Sequence, residues 1–382
     1  MNFPSFGDAD SYMAAGRACA AALAGDGGRV FDACYHPLRP RPIVVLMAVP
    51  HLVTSDPVDA SYVLLLGNLL FAAGAVAALF SILVRDSGLL AGRPWREQFL
   101  MGAAVLTLLP NVVSLVPVAL GDLPALLAFL MAVRAGAAIV ASAEPSPARR
   151  YAVCGVWVAA AVLVKQTYLL HGAVFAALLL LLDPHPRHDR DRVARGLFFL
   201  AGLSPVLLQF ADVYLHSGHF WLFDPAAMRV FSYPSRGQAI EAMFFTAPQQ
   251  GAYTVKPATP LAFPSLVAMR LFRGIFGFEW AVYHGRAFRE EWWPVPAWQL
   301  AAAWTLALLY FGFVATVLRR AGPSLRLFNA AAAAVALCTA LIGHTELRYY
   351  ALPRTALWLT AACAAACVAA RSRGADTGPE AT

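Results

Sequence analysis

Asp8, Asp10 and Tyr12 form the first of three polar groups in this sequence whose side chains could do chemistry. A carboxylate placed next to an acceptor hydroxyl can act as a general base and remove its proton. An acidic side chain at this position can instead cap the helix that follows, because negative charge stabilises a helix N-terminus. The spacing therefore predicts either a catalytic base or a helix cap.

The second group is Lys165, Gln166 and Thr167, which separates two apolar stretches. The preceding stretch, Tyr151 to Val164, covers about 21 Å at 1.5 Å per residue and is too short to cross a bilayer fully. The lysine is then expected at a recessed rim or inside the membrane, where a charge is costly unless it is paired. An ammonium beside amide and hydroxyl groups suits a phosphate. The alternative is a lysine that extends to the membrane surface.

The third group follows a late apolar block and contains four titratable or phenolic side chains: His344, Glu346, Arg348 and Tyr349. Such a cluster at a membrane end predicts an anion and sugar site. The alternative is that the acid and the arginine pair with each other and that the tyrosine anchors the chain at the interface. Asp122 and the stretch with His36, Arg39 and Arg41 add polar groups on the same side, and His36 is interpreted as an ordinary loop histidine.

The elements that must position these groups are membrane helices. The chain is 60% hydrophobic and 13% charged, against about 25% charged residues in soluble domains. Its apolar residues fall into blocks of the length that crosses the hydrocarbon core. The predicted fold is an all-α, polytopic bundle of about nine spans: Ser61 to Val84, Gln98 to Leu120, Leu123 to Ala141, Tyr151 to Val164, Tyr168 to Leu182, Gly196 to His216, Ala297 to Leu318, Leu325 to Ile342 and Ala351 to Ala370. Ile43 to Val53 and Leu261 to Val282 are predicted to be interfacial or re-entrant helices.

Arginine-rich connections predict the orientation of the bundle. They alternate along the chain, and the positive-inside rule assigns them to the cytoplasm. Five segments follow from this topology: an extracytoplasmic first loop (1–60), a transmembrane core (61–216), an extracytoplasmic loop with an interfacial helix (217–296), C-terminal transmembrane helices (297–370) and a disordered cytoplasmic tail (371–382). The net charge of +7 is explained by topology rather than by a nucleic-acid partner.

The six cysteines contain no pair with zinc-ligand spacing. Cys154, Cys338, Cys363 and Cys367 lie in apolar blocks and are interpreted as small hydrophobic residues. Cys19 and Cys34 precede the first span and can form a disulfide if that segment is extracytoplasmic. The sequence leaves this pairing open, because it does not fix the geometry.

Together, the three polar groups resemble those of the GT-C superfamily of membrane glycosyltransferases, particularly the bacterial relatives of protein mannosyltransferases and aminoarabinose transferases. The first outer loop of that family carries an Asp followed four residues later by a Tyr, as Asp8 and Tyr12 do. A Lys-Gln pair after an apolar helix is matched by Lys165 and Gln166, and a late His-x-Glu-x-Arg-Tyr pattern is matched at residues 344–349.

The resemblance implies a GT-C-like fold and an inverting transfer of a hexose or pentose from a polyprenyl-phosphate donor to an envelope glycan, lipid or protein. Asp8 would be the base, Asp10 a second carboxylate near the acceptor or a divalent metal, and Lys165 and Arg348 would bind the donor phosphate. The site would face the periplasm from the bacterial inner membrane. Family members begin with a helix upstream of the first outer loop. The sequence allows two alternatives here: residues 1–42 cross the membrane unaided, since their side-chain charges balance, or a further helix precedes them.

Two rival functions remain open. A transporter or flippase of lipid-linked glycans would need polar groups at the membrane midplane and on both faces, whereas the three groups here are predicted on one face. A non-catalytic membrane scaffold would bind a polyprenyl phosphate without transferring a sugar.

Overall fold

The computed structural model of the protein describes residues 7–25, 30–82, 121–185, 189–224, 297–341 and 350–361, with single helical residues between 264 and 275. Every regular element in these ranges is a helix, as predicted. In chain order the helices are α1 (Gly7–Gly25), α2 (Val30–Ala33), α3 (Arg41–Val53), α4 (Pro57–Ser81), α5 (Asp122–Val140), α6 (Arg149–Val164), α7 (Tyr168–Leu182), α8 (Asp189–Leu203), α9 (Val206–Ser217), α10 (Ala297–Arg320) and α11 (Pro323–Leu341). Residues 351–361 are also helical.

Three helices in the described part of the chain are long and apolar enough to cross a membrane: α4, α5 and α11. The bent pair α8 and α9 brings the number to four if it forms one span. The predicted span Gln98 to Leu120 lies outside the described residues. Helices α6 and α7, of 16 and 15 residues, are too short to cross about 30 Å of hydrocarbon unless the bilayer is locally thinner.

The predicted continuous span Gly196 to His216 is wrong in one respect, because it consists of two helices that meet at 48°. Pro205 has no backbone N–H to donate, and the residue before a proline is disfavoured in the helical region. The Ser204 hydroxyl donates instead to the Ala201 carbonyl at 2.8 Å. The break therefore follows from the Ser-Pro dipeptide, which the apolar pattern alone does not weigh.

Helix α5 lies at the centre of the bundle and packs against α4, α6, α7 and α11. Its side chains Phe129, Leu130 and Val133 are fully buried. Helix α4 is different, because Leu66 and Leu70 are exposed and apolar. An outward apolar face is what a helix in contact with hydrocarbon presents, and it makes α4 the peripheral one of the three candidate spans in the described part of the chain.

Helices α6 and α8 touch through their backbones. A Cβ at Gly155 would collide with the Phe199 carbonyl oxygen, and one at Gly202 would collide with the Ala152 carbonyl oxygen. Small residues at a crossing let two helices approach this closely. The two glycines thus fix the distance between α6 and the first half of the bent pair.

The bundle has two polar ends. Helix α5 begins and α6 ends at one of them, which we call the strap end. Helix α6 begins with Arg149 and α10 ends with Arg319 and Arg320 at the other, which we call the arginine end. The Ser324 hydroxyl donates to the Ala137 carbonyl at 3.3 Å, so α11 also begins beside the end of α5. The arginine-rich connections described by the structure therefore lie at one end.

Candidate functional site

A buried ion pair joins Lys165 and Asp122 at the strap end. Lys165 follows the last residue of α6, and Asp122 is the first residue of α5, so each charge lies at the helix end that its sign stabilises. The two residues are only 8% and 6% exposed. The lysine therefore turns inward to its partner and does not extend to the surface.

The backbone brings these two helix ends together. A Cβ at Gly121, the residue before Asp122, would lie 3.0 Å from the Val164 carbonyl oxygen. A larger residue at this position would push α5 away from the end of α6 and lengthen the ion pair. Thr167, in the turn after Lys165, has a buried hydroxyl without a hydrogen-bond partner within the described ranges. Such a group is costly unless water or a ligand satisfies it.

Residues 34–40, between α2 and α3, form a segment that we call the strap. A disulfide joins Cys34 to Cys19 of α1, which resolves the pairing that the sequence left open. The Pro37 carbonyl accepts a hydrogen bond from the Asp224 N–H at 2.7 Å. The strap is thus attached to α1 at its start and to the segment after α9 in its middle.

His36 in the strap contacts α1. The Leu38 N–H donates to Nδ1 of His36 at 3.1 Å, and Nε2 lies 3.2 Å from the Ser11 hydroxyl oxygen. Because Nδ1 accepts, the proton of the neutral ring is on Nε2, which donates to Ser11. Burial, and then the charge of Arg39, lower the pKa of His36. Both effects favour the neutral ring that this hydrogen-bond pattern needs.

Arg39 and Tyr12 form a second contact between the strap and α1. The Arg39 guanidinium lies 4.7 Å from the centre of the Tyr12 ring, within the range of a cation–π interaction. Tyr12 is buried in the main apolar cluster. An isolated bridge between His36 and Arg39, with the Arg39 N–H donating to the His36 carbonyl at 3.3 Å, gives the strap a tight turn.

Gln166 connects the strap to the ion pair. Its side-chain amide donates to the Leu38 carbonyl at 2.8 Å. Gln166 is the next residue after Lys165, so the turn that carries the lysine is held against the strap. The same peptide segment of Leu38 therefore bonds to the lysine turn through its C=O and to His36 through its N–H.

Arg41, at the start of α3, ties the strap to α9. Its guanidinium donates to both carboxylate oxygens of Asp212, at 3.1 and 2.5 Å, and its backbone N–H donates to the Gln209 side chain at 3.1 Å. Paired hydrogen bonds of this kind add geometric specificity to charge attraction. The guanidinium also lies 4.1 Å from the centre of the Phe31 ring.

An aromatic stack continues this contact. The His216 ring of α9 stacks on Tyr35 at 3.9 Å and on Phe31 at 4.8 Å. Burial, and then the nearby carboxylates of Asp224 and Asp212, raise the pKa of Tyr35 to about 12. Tyr35 therefore stays neutral throughout the physiological range and serves as a packing surface.

The structure brings four of the predicted site residues to the strap end: Tyr12, Asp122, Lys165 and Gln166. Asp8 and Asp10 lie in the first turns of α1, one turn or less before Tyr12, and their side chains are outside the described part of the chain. His344, Glu346, Arg348 and Tyr349 also lie outside the described residues. Helix α1 and the Lys165 turn are thus connected through the strap, and the convergence of the three groups at one site stays a prediction.

Sequence reasoning missed several residues at this end: Ser11, Tyr35, Asp212 and His216. His36 lies in the loop between α2 and α3, and its contact with α1 is a further feature that the sequence did not indicate. The partners of Arg41 and His36 are 171 and 25 residues away, so no local spacing could indicate them. The basic and aromatic content of residues 35–41 was the one available signal.

The described part of the chain contains no group of three His, Cys, Asp or Glu side chains that could hold a metal ion. The divalent metal considered for Asp10 concerns a side chain outside that part. The residues described here could bind a phosphate through charge and hydrogen bonds, with Lys165 and Arg39 as the cations.

The arginine end holds a different buried cluster. The Tyr151 hydroxyl and the Arg195 guanidinium both donate to the Asp183 carboxylate, and Arg195 also donates to the Tyr151 oxygen at 3.1 Å. The His185 N–H donates to the second Asp183 oxygen at 3.1 Å. This cluster joins α6, α7 and α8.

Comparison with protein-family models, with curated proteins and with solved structures finds no match to this chain.

Proposed function

We propose that this protein is a GT-C-type membrane glycosyltransferase that takes a sugar from a polyprenyl-phosphate donor and transfers it to an envelope glycan, lipid or protein. The observation that carries the proposal is the buried Lys165–Asp122 pair at the strap end, held by Gln166 and the strap beside α1. Burying a charge costs desolvation energy. Binding of a phosphate that enters from the bilayer would explain why a lysine is buried at this position. The unsatisfied Thr167 hydroxyl in the same turn supplies a further donor.

In the proposed reaction the Asp8 carboxylate removes the proton of the acceptor hydroxyl. The hydroxyl oxygen attacks the anomeric carbon, and the bond between that carbon and the donor phosphate oxygen breaks. The polyprenyl phosphate leaves with the bonding electrons, and Lys165 and Arg348 neutralise its developing charge. Direct attack inverts the anomeric carbon. Asp10, Glu346, His344 and Tyr349 are assigned to acceptor and sugar binding.

We further propose that the strap end faces the extracytoplasmic side. Two independent features support this orientation. The Cys19–Cys34 disulfide lies at the strap end, and disulfides persist in oxidising compartments. The arginine-rich connections lie at the opposite end, as expected for the cytoplasmic face. Labelling of Asp10→Cys and Thr345→Cys with an impermeant maleimide tests it, and modification from opposite sides of the bilayer would contradict the common site.

Two variants of the ion pair test the phosphate role of Lys165. Lys165→Ala and Asp122→Asn both break the same buried pair, so a purely structural role predicts similar losses of undecaprenyl phosphate affinity in both. A phosphate role predicts that Lys165→Ala weakens the binding of undecaprenyl phosphate by about 10-fold or more, since a hydrogen bond to a charged group contributes about 1.5–3 kcal/mol. Asp122→Asn keeps the cation and should bind at least as tightly as wild type.

The chain offers a matched control, because Lys256 is its only other lysine. Lys256→Ala should leave undecaprenyl phosphate affinity unchanged, as measured by tryptophan fluorescence in nanodiscs. Equal losses of affinity in Lys165→Ala and Asp122→Asn would refute the phosphate role.

Asp8→Asn should abolish sugar transfer while leaving expression and insertion intact, and transfer near the wild-type rate would remove Asp8 from the mechanism.

One observation favours a transporter as the second candidate. The α8–α9 pair is broken and bent by 48°, and broken helices form substrate sites in many transporters. The two functions differ in their products. Reconstituted vesicles that move a lipid-linked sugar across the bilayer without cleaving it would favour the transporter, and undecaprenyl phosphate binding with neither activity would favour a scaffold.

A further inference from the structure

His36 occupies the middle of a hydrogen-bonded chain that runs between two parts of the candidate site. The Gln166 amide donates to the Leu38 carbonyl at 2.8 Å, and the Leu38 N–H donates to Nδ1 of His36 at 3.1 Å. Nε2 of His36 then lies 3.2 Å from the Ser11 oxygen. This series of hydrogen bonds starts at Gln166, one residue after Lys165, and ends at Ser11, one residue before Tyr12. It therefore connects the proposed phosphate side to α1.

We infer that His36, as its neutral Nε2–H tautomer, is a positioning residue that holds α1 and its carboxylates in register with the Lys165 turn for sugar transfer. This inference rests on the proposed function. Within the described residues the His36 ring does not contact the ion pair, so it acts through Ser11 and Leu38.

The tautomer is determined by the partners of the ring. Leu38 presents an N–H, which only an unprotonated Nδ1 can accept, and Ser11 presents a hydroxyl oxygen that accepts from Nε2–H. A doubly protonated ring would lose the Leu38 bond and would add a second cation next to Arg39. The lowered pKa of His36 agrees with this requirement.

The other attachments of the strap show why one ring can have this effect. The Cys19–Cys34 disulfide and the Arg39–Tyr12 contact hold the strap against α1, so these contacts limit where α1 lies but do not reach the lysine turn. Gln166 reaches that turn. Among the described side-chain contacts of the strap, the His36 ring is the one that bonds to Leu38, the residue to which Gln166 also bonds.

Two substitutions separate the two hydrogen bonds of His36. His36→Asn keeps an acceptor for the Leu38 N–H and loses the donor to Ser11. His36→Gln places an amide N–H near the position of Nε2 and keeps that donor. The transfer assay uses a lipid extract of radiolabelled cells as the donor pool and membranes of the same cells as the acceptor, with full-length protein in nanodiscs.

We expect His36→Asn to lower the transfer rate at saturating donor about 10-fold, because a small misplacement of a reacting group has effects of this order or larger. His36→Gln should retain more activity than His36→Asn, and undecaprenyl phosphate affinity should change less than about twofold in both. The wild-type transfer rate should decrease at acid pH as the His36 ring is protonated. Neither variant has an ionisable side chain at position 36, so this part of the decrease should be absent from both. His219→Asn, at an exposed histidine outside the strap, is the matched control and should match wild type in rate and pH profile.

Two results would overturn the inference. One is a His36→Asn variant with the wild-type rate and pH profile, and the other is a ¹⁵N-histidine spectrum in which the His36 resonances show Nδ1 protonated. Failure of the proposed function gives a different result, because the wild-type protein would then transfer no label. That result overturns both the proposed function and the inference on His36. A loss of donor affinity equal to the loss of rate in His36→Asn also counts against positioning, because it shows general disruption of the site.

Discussion

Each end of the bundle buries an ion pair, but within the described ranges the polar groups beside the two pairs differ in how completely they are hydrogen-bonded. At the arginine end, Asp183 accepts from Tyr151, Arg195 and the His185 N–H. The side chains joined there, Tyr151, Asp183 and Arg195, are 12 to 44 positions apart. At the strap end, the Lys165–Asp122 pair lies beside an unsatisfied hydroxyl and is approached by a strap from far away in the chain.

The difference concerns how the desolvation cost of each buried ion pair is offset. A buried ion pair costs desolvation energy at either end. At the arginine end that cost is offset inside the protein, since every Asp183 oxygen has a partner and the cluster joins three consecutive helices. At the strap end, the Thr167 hydroxyl in the turn beside the pair has no hydrogen-bond partner within the described ranges, so it is available to a ligand. We therefore expect the arginine-end pair to have a structural role, and the strap-end pair is the one that we propose as part of a binding site.

Breaking the arginine-end pair should have the largest effect on stability. Arg195→Ala leaves Asp183 buried without its cation, and removing one partner of a buried pair costs about 3–5 kcal/mol. Chemical unfolding in detergent measures the change. Arg190→Ala, at an exposed position earlier in the same helix, is the control and should lie within about 0.5 kcal/mol of wild type. Equal stability of the two variants would show that the cluster does not hold the bundle together.

At the strap end, the Cys19–Cys34 disulfide corresponds to the stabilising ion pair of the arginine end. It closes a loop between residues 15 positions apart, and in the chain-entropy account a loop of this size contributes about 3 kcal/mol. A Cys19→Ala/Cys34→Ala double variant should lose about that much stability, and undecaprenyl phosphate should protect it less than it protects wild type. Cys154→Ala, at a buried free cysteine, controls for cysteine removal. Unchanged stability of the double variant would contradict a tethering role for the strap.

The helix crossing at the arginine end should have an intermediate effect. Gly155→Val places methyl groups against the Phe199 carbonyl, so α6 and α8 must separate. Overpacking of this kind costs about 1–3 kcal/mol. Gly67→Val in α4, where a Cβ meets nothing within 4 Å, should be close to neutral. If the two variants unfold at the same denaturant concentration, the close approach of α6 and α8 is not needed.

The pH dependence of stability should be the smallest effect and should belong to the strap end. Burial and Arg39 lower the pKa of His36 in the folded protein. As pH falls below the ordinary histidine value of about 6.5, the unfolded chain binds the proton first, so stability decreases until the lowered pKa is reached. Above that range stability should not change through this group. Unfolding midpoints from pH 8 to 5 should fall in wild type and fall less in His36→Gln, and identical slopes would contradict the assignment.

Helix positions could be predicted well where apolar blocks are bounded by polar residues. Tyr168 to Leu182 matches α7 at both ends, and Leu123 to Ala141 matches α5 within one residue. The failure was at Ser204 and Pro205, where a continuous apolar pattern hides a break. Hydrophobicity records burial in lipid or protein, and it does not report the loss of a backbone hydrogen bond.

Part of the candidate site could also be predicted. Lys165 and Gln166 stand out in the sequence because they interrupt an apolar stretch, and Asp122 is predicted to add a polar group on the same side. Their pairing could not be predicted, since it depends on α5 and α6 being antiparallel neighbours. The strap was harder still, because its hydrogen bonds use the backbone of Leu38, and every residue has the same backbone groups.

The sequence alone determined that this chain forms apolar helices and that its polar side chains gather at their ends, because the cost of placing polar groups in hydrocarbon acts locally on each residue. Only the tertiary structure decided that Lys165 pairs with Asp122, that Cys19 joins Cys34, and that His36 adopts one tautomer between Leu38 and Ser11. These outcomes depend on distances between segments far apart in the chain, and such distances are set by helix packing as a whole.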